Sequence, residues 1–213
     1  VTLREIYPDW MEYKRLRTKG TSYLARLSSD WKKYYLDDSI IDIPIKDFTK
    51  PWLERWAHTK VKELELTQKQ YMNMSHIIRD SLSMVAEEKV VIKENLYLQV
   101  YIDKKLFRPT KKKESKTQVY TEAEQRLIFK EAMEDFQNDS TDTTPLAVML
   151  AFFTGTRPGE TVAIRESDIH GNIIDIQRME SGVFETQDGI NYSRVAVEVA
   201  DYTKTEAGTR QVS

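Results

Sequence analysis

The stretch FFTGTRPGETVAIRESDI, residues 152–169, marks the point where the chain changes character. The run TPLAVMLAFFT leading into it (144–154) is almost wholly apolar and predicts a buried helix. Thr154 and Gly155 close that run, Arg157 stands just before Pro158, and Glu160 follows a second glycine. A further helix is predicted from about Gly159 to Ile164. After His170 the apolar period changes: GNIIDIQRM (171–179) and YSRVAVEVA (192–200) are rich in Ile and Val and alternate, which reads as strands. ESGVFETQDGIN (180–191) is predicted to be a loop between them. Lys204 then sits between two threonines. A turn at Glu206–Gly208 is expected to reverse the chain, hairpin-fashion, into a last strand at TRQVS.

Upstream the pattern is helical throughout. Leu3, Ile6, Trp10, Tyr13 and Leu16 recur at spacings of three and four, as do Leu24, Leu27 and Trp31 followed by Tyr34 or Tyr35. Gly20 separates these two segments, and Thr21 or Ser22 is placed to cap the second. Thr49 is placed to cap a third helix with Pro51 in its first turn, where proline is tolerated. Thr67 opens the longest, with Tyr71, Met74, Ile77, Ile78, Leu82 and Val85 on its apolar positions. Thr121 and Glu124 form a capping box for another. The spacing of Trp10, Trp31, Trp52 and Trp56 assigns them to the core rather than to base stacking.

The fold class that results is mainly α with a small antiparallel β-sheet. Its expected division is a helical domain over 1–102, a basic linker over 103–119 and an α+β domain over 120–213. The linker holds Lys104, Lys105, Arg108, Lys111, Lys112, Lys113 and Lys116 against Asp103 and Glu114, and Pro109 interrupts it.

The chain has 213 residues, 40% of them apolar, which is enough to bury a core. Cysteine is absent, which removes disulfides, thiolate metal sites and cysteine nucleophiles and fits a reducing cytoplasm. No apolar run approaches the roughly 18 residues of a membrane span. The N-terminus is charged early, unlike a secretion signal. It does not open on methionine, which points to a fragment or a processed chain. The net charge of −2 conceals an asymmetry, +7 over residues 1–113 and −9 over 114–213. A basic half is a candidate for a polyanion, because Lys and Arg gain affinity by releasing phosphate counterions. Charge alone does not separate that from ordinary solvated surface.

Arg157 offers five donors in a planar fork that suits phosphate oxygens, and a following helix N-terminus adds backbone N–H groups. Glu160 is spaced to orient it. An ordinary Gly-Pro turn with an exposed Arg–Glu pair satisfies the same six residues. Lys204, taken alone, reads most simply as a solvated turn lysine.

In order, these segments resemble the tyrosine recombinases, the integrases of phages and conjugative transposons. LAFFTGTRPGETVAIRESDI is similar to their first arginine box, with Arg165 and Glu166 near where that family often has Trp. TKTEAGTR is similar to their lysine hairpin. The basic helical half is similar to the SAM-like core-binding domain, with VVIKENLY near its usual ending. The resemblance implies a helical core-binding domain followed by the first part of an α+β catalytic domain. It implies cleavage and rejoining of duplex DNA through a 3′-phosphotyrosine, with no cofactor, metal or ATP. Arg157 would stabilise charge on the non-bridging oxygens, Lys204 would protonate the leaving 5′ oxygen, and Glu160 would support the site.

DNA contacts are expected at Thr21, Ser22 and Arg26, at Lys69 and Asn73, and at Arg108, Lys111, Lys112, Lys113 and Lys116. The implied partners are a core recombination site and further copies of the protein in a tetramer, with no membrane and no small-molecule substrate. The family's second arginine box and tyrosine nucleophile should follow the lysine segment. The expectation is therefore a fragment that binds DNA without cutting it. His76 and Arg79 have the spacing of the second box but precede Arg157, so they read as coincidence or as a DNA-facing pair. A naturally truncated, non-enzymatic protein that occupies recombination sites is the alternative. A helical protein-interaction module is a third reading.

Overall fold

The computed structural model describes residues 1–88, 91–110 and 119–213. They fall into two compact units: Val1–Lys111 with Phe184–Val195, and Lys112–Val183 with Ala196–Ser213.

The first unit contains helices α1 (Leu3–Leu16), α2 (Ser22–Tyr34), α3 (Lys50–Glu63) and α4 (Gln68–Glu88). Local caps set three of the starts. Thr2 and Glu5 exchange hydrogen bonds at α1, and Thr67 and Gln70 do so at α4; Thr49 Oγ1 accepts from Trp52 N at α3, with Pro51 in the first turn. Each satisfies N–H groups that a helix start otherwise leaves unpaired. Tyr7, Trp31 and Tyr35 stack with ring centroids 3.9 and 5.3 Å apart, and Trp56 leans on Tyr35 at 5.9 Å. Trp10, Trp31 and Trp56 are buried, as their spacing predicts; Trp52 is half-buried against Phe48. The apolar face of α1 differs from its expected course. It follows Leu3, Ile6, Tyr7, Trp10 and Met11, while Leu16 is exposed. Repeated steps of three fall short of the 3.6-residue turn, so the expected stripe drifts and Leu16 ends on the far side.

The second unit contains α5 (Glu122–Asn138), α6 (Thr144–Thr154) and a single turn, α7 (Pro158–Thr161). The Thr121–Glu124 capping box forms. Tyr120, Phe129 and Phe152 meet between α5 and α6 at centroid distances of 5.4 Å. The expectation of a buried α6 does not hold. None of its residues is fully buried, and Phe153 is 70% exposed. A helix apolar on every side needs cover on every side, and α6 packs mainly on α5 and α7.

Beyond α7 lie β1 (Ile169–His170), β2 (Ile173–Ile176), β3 (Met179–Thr186), β4 (Tyr192–Ala200) and β5 (Arg210–Val212). They form two sheets, β1-β2-β5 and β3-β4. The register places Ile174 opposite Val212 and Ile176 opposite Arg210, antiparallel. Two expectations change here. The predicted loop 180–191 is mostly strand β3, turned by Asp188 and Gly189. Asp188 Oδ1 accepts from the N–H groups of Ile190 and Asn191, and Gly189 takes φ +71°. An Asp-Gly pair between alternating residues is a hairpin signal. Second, β5 pairs with β2 rather than β4. Lys204 therefore lies on a crossover between two sheets, not on a hairpin.

Candidate functional site

Arg157 owes its position to the way α6 ends. Gly155 adopts φ +62°, a left-handed helix stop that costs a residue with a Cβ, and its N–H closes on Ala151 O. The buried Thr156 hydroxyl links those of Thr154 (2.9 Å) and Thr161 (2.8 Å). Arg157 is extended, ψ 153°, as the residue before a proline prefers, and Pro158 begins α7 with its φ already set. Gly159 is needed for room, since a Cβ there would stand 3.0 Å from Glu180 O.

The predicted helix over 159–164 is only the four residues of α7, too short to act as an anion site in its own right. Its first donor is already taken. Arg157 N–H donates to Glu160 Oε2 at 3.1 Å. Glu160 Oε1 accepts from Arg157 Nη1 at 2.6 Å, and Oε2 also accepts from Arg210 Nη1 and Nη2 at 3.2 Å each. The Glu160 side chain is 1% exposed and that of Arg157 53%. Burial works to raise the Glu160 pKa, but the Arg157 N–H and the two guanidinium groups outweigh it and hold the carboxyl below its ordinary value. One carboxylate between two arginines leaves this corner cationic, with Arg157 presented to solvent.

The segment carrying Lys204 packs against the same corner. Thr203 is buried and donates to Thr205 O at 2.7 Å, while Gly208 N–H donates to Thr205 O at 2.8 Å. A Cβ on Gly208 would lie 2.6 Å from Thr203 Oγ1 and 3.6 Å from Arg157 Nη1. Lys204 is exposed. A second buried carboxylate, Asp168, accepts from Arg165 N (2.8 Å), Gln177 (3.2 Å) and the Arg178 guanidinium. It anchors the segment between α7 and β2.

Among the expected DNA contacts, the Thr21 oxygen accepts from Phe184 N at 2.7 Å and so does not cap α2. Ser22, Arg26, Lys69 and Arg108 are exposed. Arg26 lies over the Tyr23 ring at 5.1 Å. Arg26 and Asn73 meet at a shallow cavity of about 250 Å³ that Tyr23, His76 and Arg79 also line. Lys111, Lys112, Lys113 and Lys116 lie outside the described residues.

The fold has counterparts in solved structures. Over its whole length the chain matches the Tn1549 transposon integrase in complex with transposon right-end DNA, with a TM-score of 0.67 and 16% identity. It matches a lambda integrase tetramer bound to a Holliday junction over 93% of its length, with a TM-score of 0.59 and 18% identity. The fold is an integrase fold. The chain spans 60% of the first of those chains and 52% of the second. No protein-family model matches the sequence, and no curated protein does.

Three features of this integrase fold have no sequence signal that assigns them. Arg210 is the clearest: its place in TKTEAGTR is visible, but a residue six positions after Lys204 gives no hint that its fork returns to Glu160. Tyr23 shares a hydrogen bond of 2.8 Å with His76 Nε2, and His76 Nδ1 faces Asp80 at 3.5 Å. Lys14 completes that chain, 2.6 Å from Asp80. Residues 53 and 66 positions apart carry no periodic signal of such pairing.

Proposed function

We propose that the chain is the DNA-binding part and the first part of the catalytic centre of a tyrosine recombinase acting on duplex DNA. The observation that carries this reading is the Arg157 guanidinium, exposed to solvent and held at one end by a buried carboxylate. An arginine in a flexible turn would waste its fork; one fixed at Nη1 keeps its remaining donors aimed outward, the arrangement required of a group that stabilises developing phosphate charge. The likeness to integrases solved with DNA supports the same reading, as does the positive balance of residues 1–113.

In this reading the first unit grips the duplex through Ser22, Arg26, Lys69, Asn73 and Arg108, and Lys111, Lys112, Lys113 and Lys116 add phosphate contacts. Arg157 binds the non-bridging oxygens of the scissile phosphate more tightly as their charge grows. Lys204, exposed on the crossover, delivers the proton to the leaving 5′ oxygen. Strand cleavage needs a second arginine and a tyrosine nucleophile joined to this centre, so the 213 residues alone bind DNA without cutting it. Self-association on DNA belongs to the same proposal.

The test is Arg157→Ala in the full reading frame. Cleavage of a core-site duplex should fall by at least about a hundredfold, the scale of losing one transition-state donor, while the DNA dissociation constant changes little. A parallel loss of binding and cleavage would make Arg157 a binding or structural residue instead.

A further inference from the structure

Arg210 has no chemical role in the reading above, yet it holds three places together. Its Nη1 donates to Glu160 Oε2 (3.2 Å) and to Gly208 O (2.8 Å). Its Nη2 donates to the same Oε2 (3.2 Å) and to Gly155 O (3.1 Å). These acceptors lie at the end of α6, in α7, and in the turn that follows Lys204. Register supports the placement: Arg210 is the first residue of β5, paired with Ile176, a buried residue of β2. The backbone at Arg210 is thus fixed by a strand ladder, and its side chain is 27% exposed.

The consequence lies in how Glu160 divides its oxygens. Oε2 goes to Arg210 and to the Arg157 N–H, and Oε1 is left for Arg157 Nη1 at 2.6 Å. A carboxylate held at one end only turns broadly about its last torsion. Gripping Oε2 fixes the carboxylate plane and with it the direction of Oε1. The grip needs a planar fork. A lysine ammonium is a point donor and cannot span Gly155 O, Gly208 O and Oε2 in this geometry.

We propose that Arg210 is a positioning residue: through Glu160 it aims the Arg157 guanidinium, and through Gly155 and Gly208 it keeps the Lys204 segment in register with the Arg157 turn. The proposal rests on reading Arg157 as the phosphate-facing arginine, and Arg210 itself touches no phosphate. It deepens that reading by making the relative placement of the two chemical groups depend on one side chain outside the reaction.

The test is side-chain ¹⁵N relaxation at Arg157 Nε in the 213-residue chain, with Arg178, held by Asp168, as internal control. In the wild type both should be ordered, with order parameters approaching the roughly 0.85 of rigid backbone. In Arg210→Met, Arg157 should drop below about 0.6 while Arg178 holds. Arg210→Lys, which keeps the charge but not the fork, should give the same drop, and it decides the matter if the methionine variant fails to fold. An Arg157 order parameter that stays at its wild-type value, or one that falls together with Arg178, would overturn the proposal. Duplex-DNA binding by the wild-type chain is measured separately: its absence would sink the reading of Arg157 as phosphate-facing and leave the relaxation result standing.

Discussion

The two units stabilise themselves in different ways. The first buries large apolar and aromatic side chains: Tyr7, Trp10, Trp31 and Tyr35 are at most 2% exposed, around an aliphatic shell that includes Ile40, Ile41 and Leu53, and the polar residues buried with them, Ser28, Thr67, Ser75, Ser81 and Asn95, are neutral. In the second unit, the buried apolar residues are mostly small, Ala132, Ala163 and Ala200 with Ile176, and two of its buried polar residues are carboxylates, Glu160 and Asp168, beside Thr156 and Thr203. Large apolar side chains there, Phe153 and Val162 among them, face solvent. One region is a scaffold held by area removed from water. The other is a corner held by directed bonds to two buried carboxylates. Directed bonds fix orientation, which the role proposed for Arg157 requires and a hydrophobic contact does not supply.

The contrast can be broken most readily at its strongest point. Trp31→Ala should destabilise the first unit by about 3–5 kcal/mol, the usual cost of emptying a large buried aromatic site. Phe153→Ser in the second should change stability by less than about 0.5 kcal/mol, as for an exposed position. Chemical denaturation of the two variants checks this. Comparable losses would mean that α6 is as well covered as the tryptophan stack.

Glu160→Ala comes next. Removing the carboxylate leaves two partly exposed guanidinium groups facing one another without their shared acceptor, a cost of about 1–3 kcal/mol. Hydrogen exchange should show the loss in α7 and β5 while amides in α2 and α4 keep their protection. Equal loss in both units would contradict a local latch.

The smallest effect concerns His76, between Tyr23 and Asp80. Burial holds its pKa below the ordinary value; Asp80 pulls the other way, and Lys14, Arg79 and Arg26 add to the lowering. A histidine whose folded pKa is depressed binds its proton more readily when unfolded, so it costs stability as pH falls below about 6.5. The melting temperature of the first unit should therefore decrease between about pH 7.5 and about pH 5.5, a window that brackets the ordinary histidine pKa. His76→Gln should reduce the decrease. An unchanged decrease would assign it to other groups.

Much of this is legible in sequence, for local reasons. Helix starts can be found because caps are short-range: Thr49, Thr67 and Thr121 each act within three residues, and Thr2, the one not anticipated, acts over the same span. The Arg157–Glu160 contact is legible for the same reason. What fails is non-local. The partner of β5 depends on which edge β2 presents, and the exposure of α6 depends on what packs around it; neither is encoded in a window of about ten residues. Strand β3 escapes notice although Asp188-Gly189 announces the turn, because glycines and charges within 180–191 mask the alternation. Arg210 reads as the tail of a motif and not as a latch, since only the folded chain brings it to Glu160, 50 positions earlier.

The proposal that this chain grips duplex DNA through its phosphates is tested most directly by titrating it with a core-site duplex at several salt concentrations. The logarithm of the binding constant should fall linearly with the logarithm of salt concentration. Replacing Lys111, Lys112 and Lys113 together with Gln should reduce that slope by about three, roughly one unit for each phosphate left unneutralised. Binding that is absent at low salt, or that does not respond to salt, would contradict a phosphate grip.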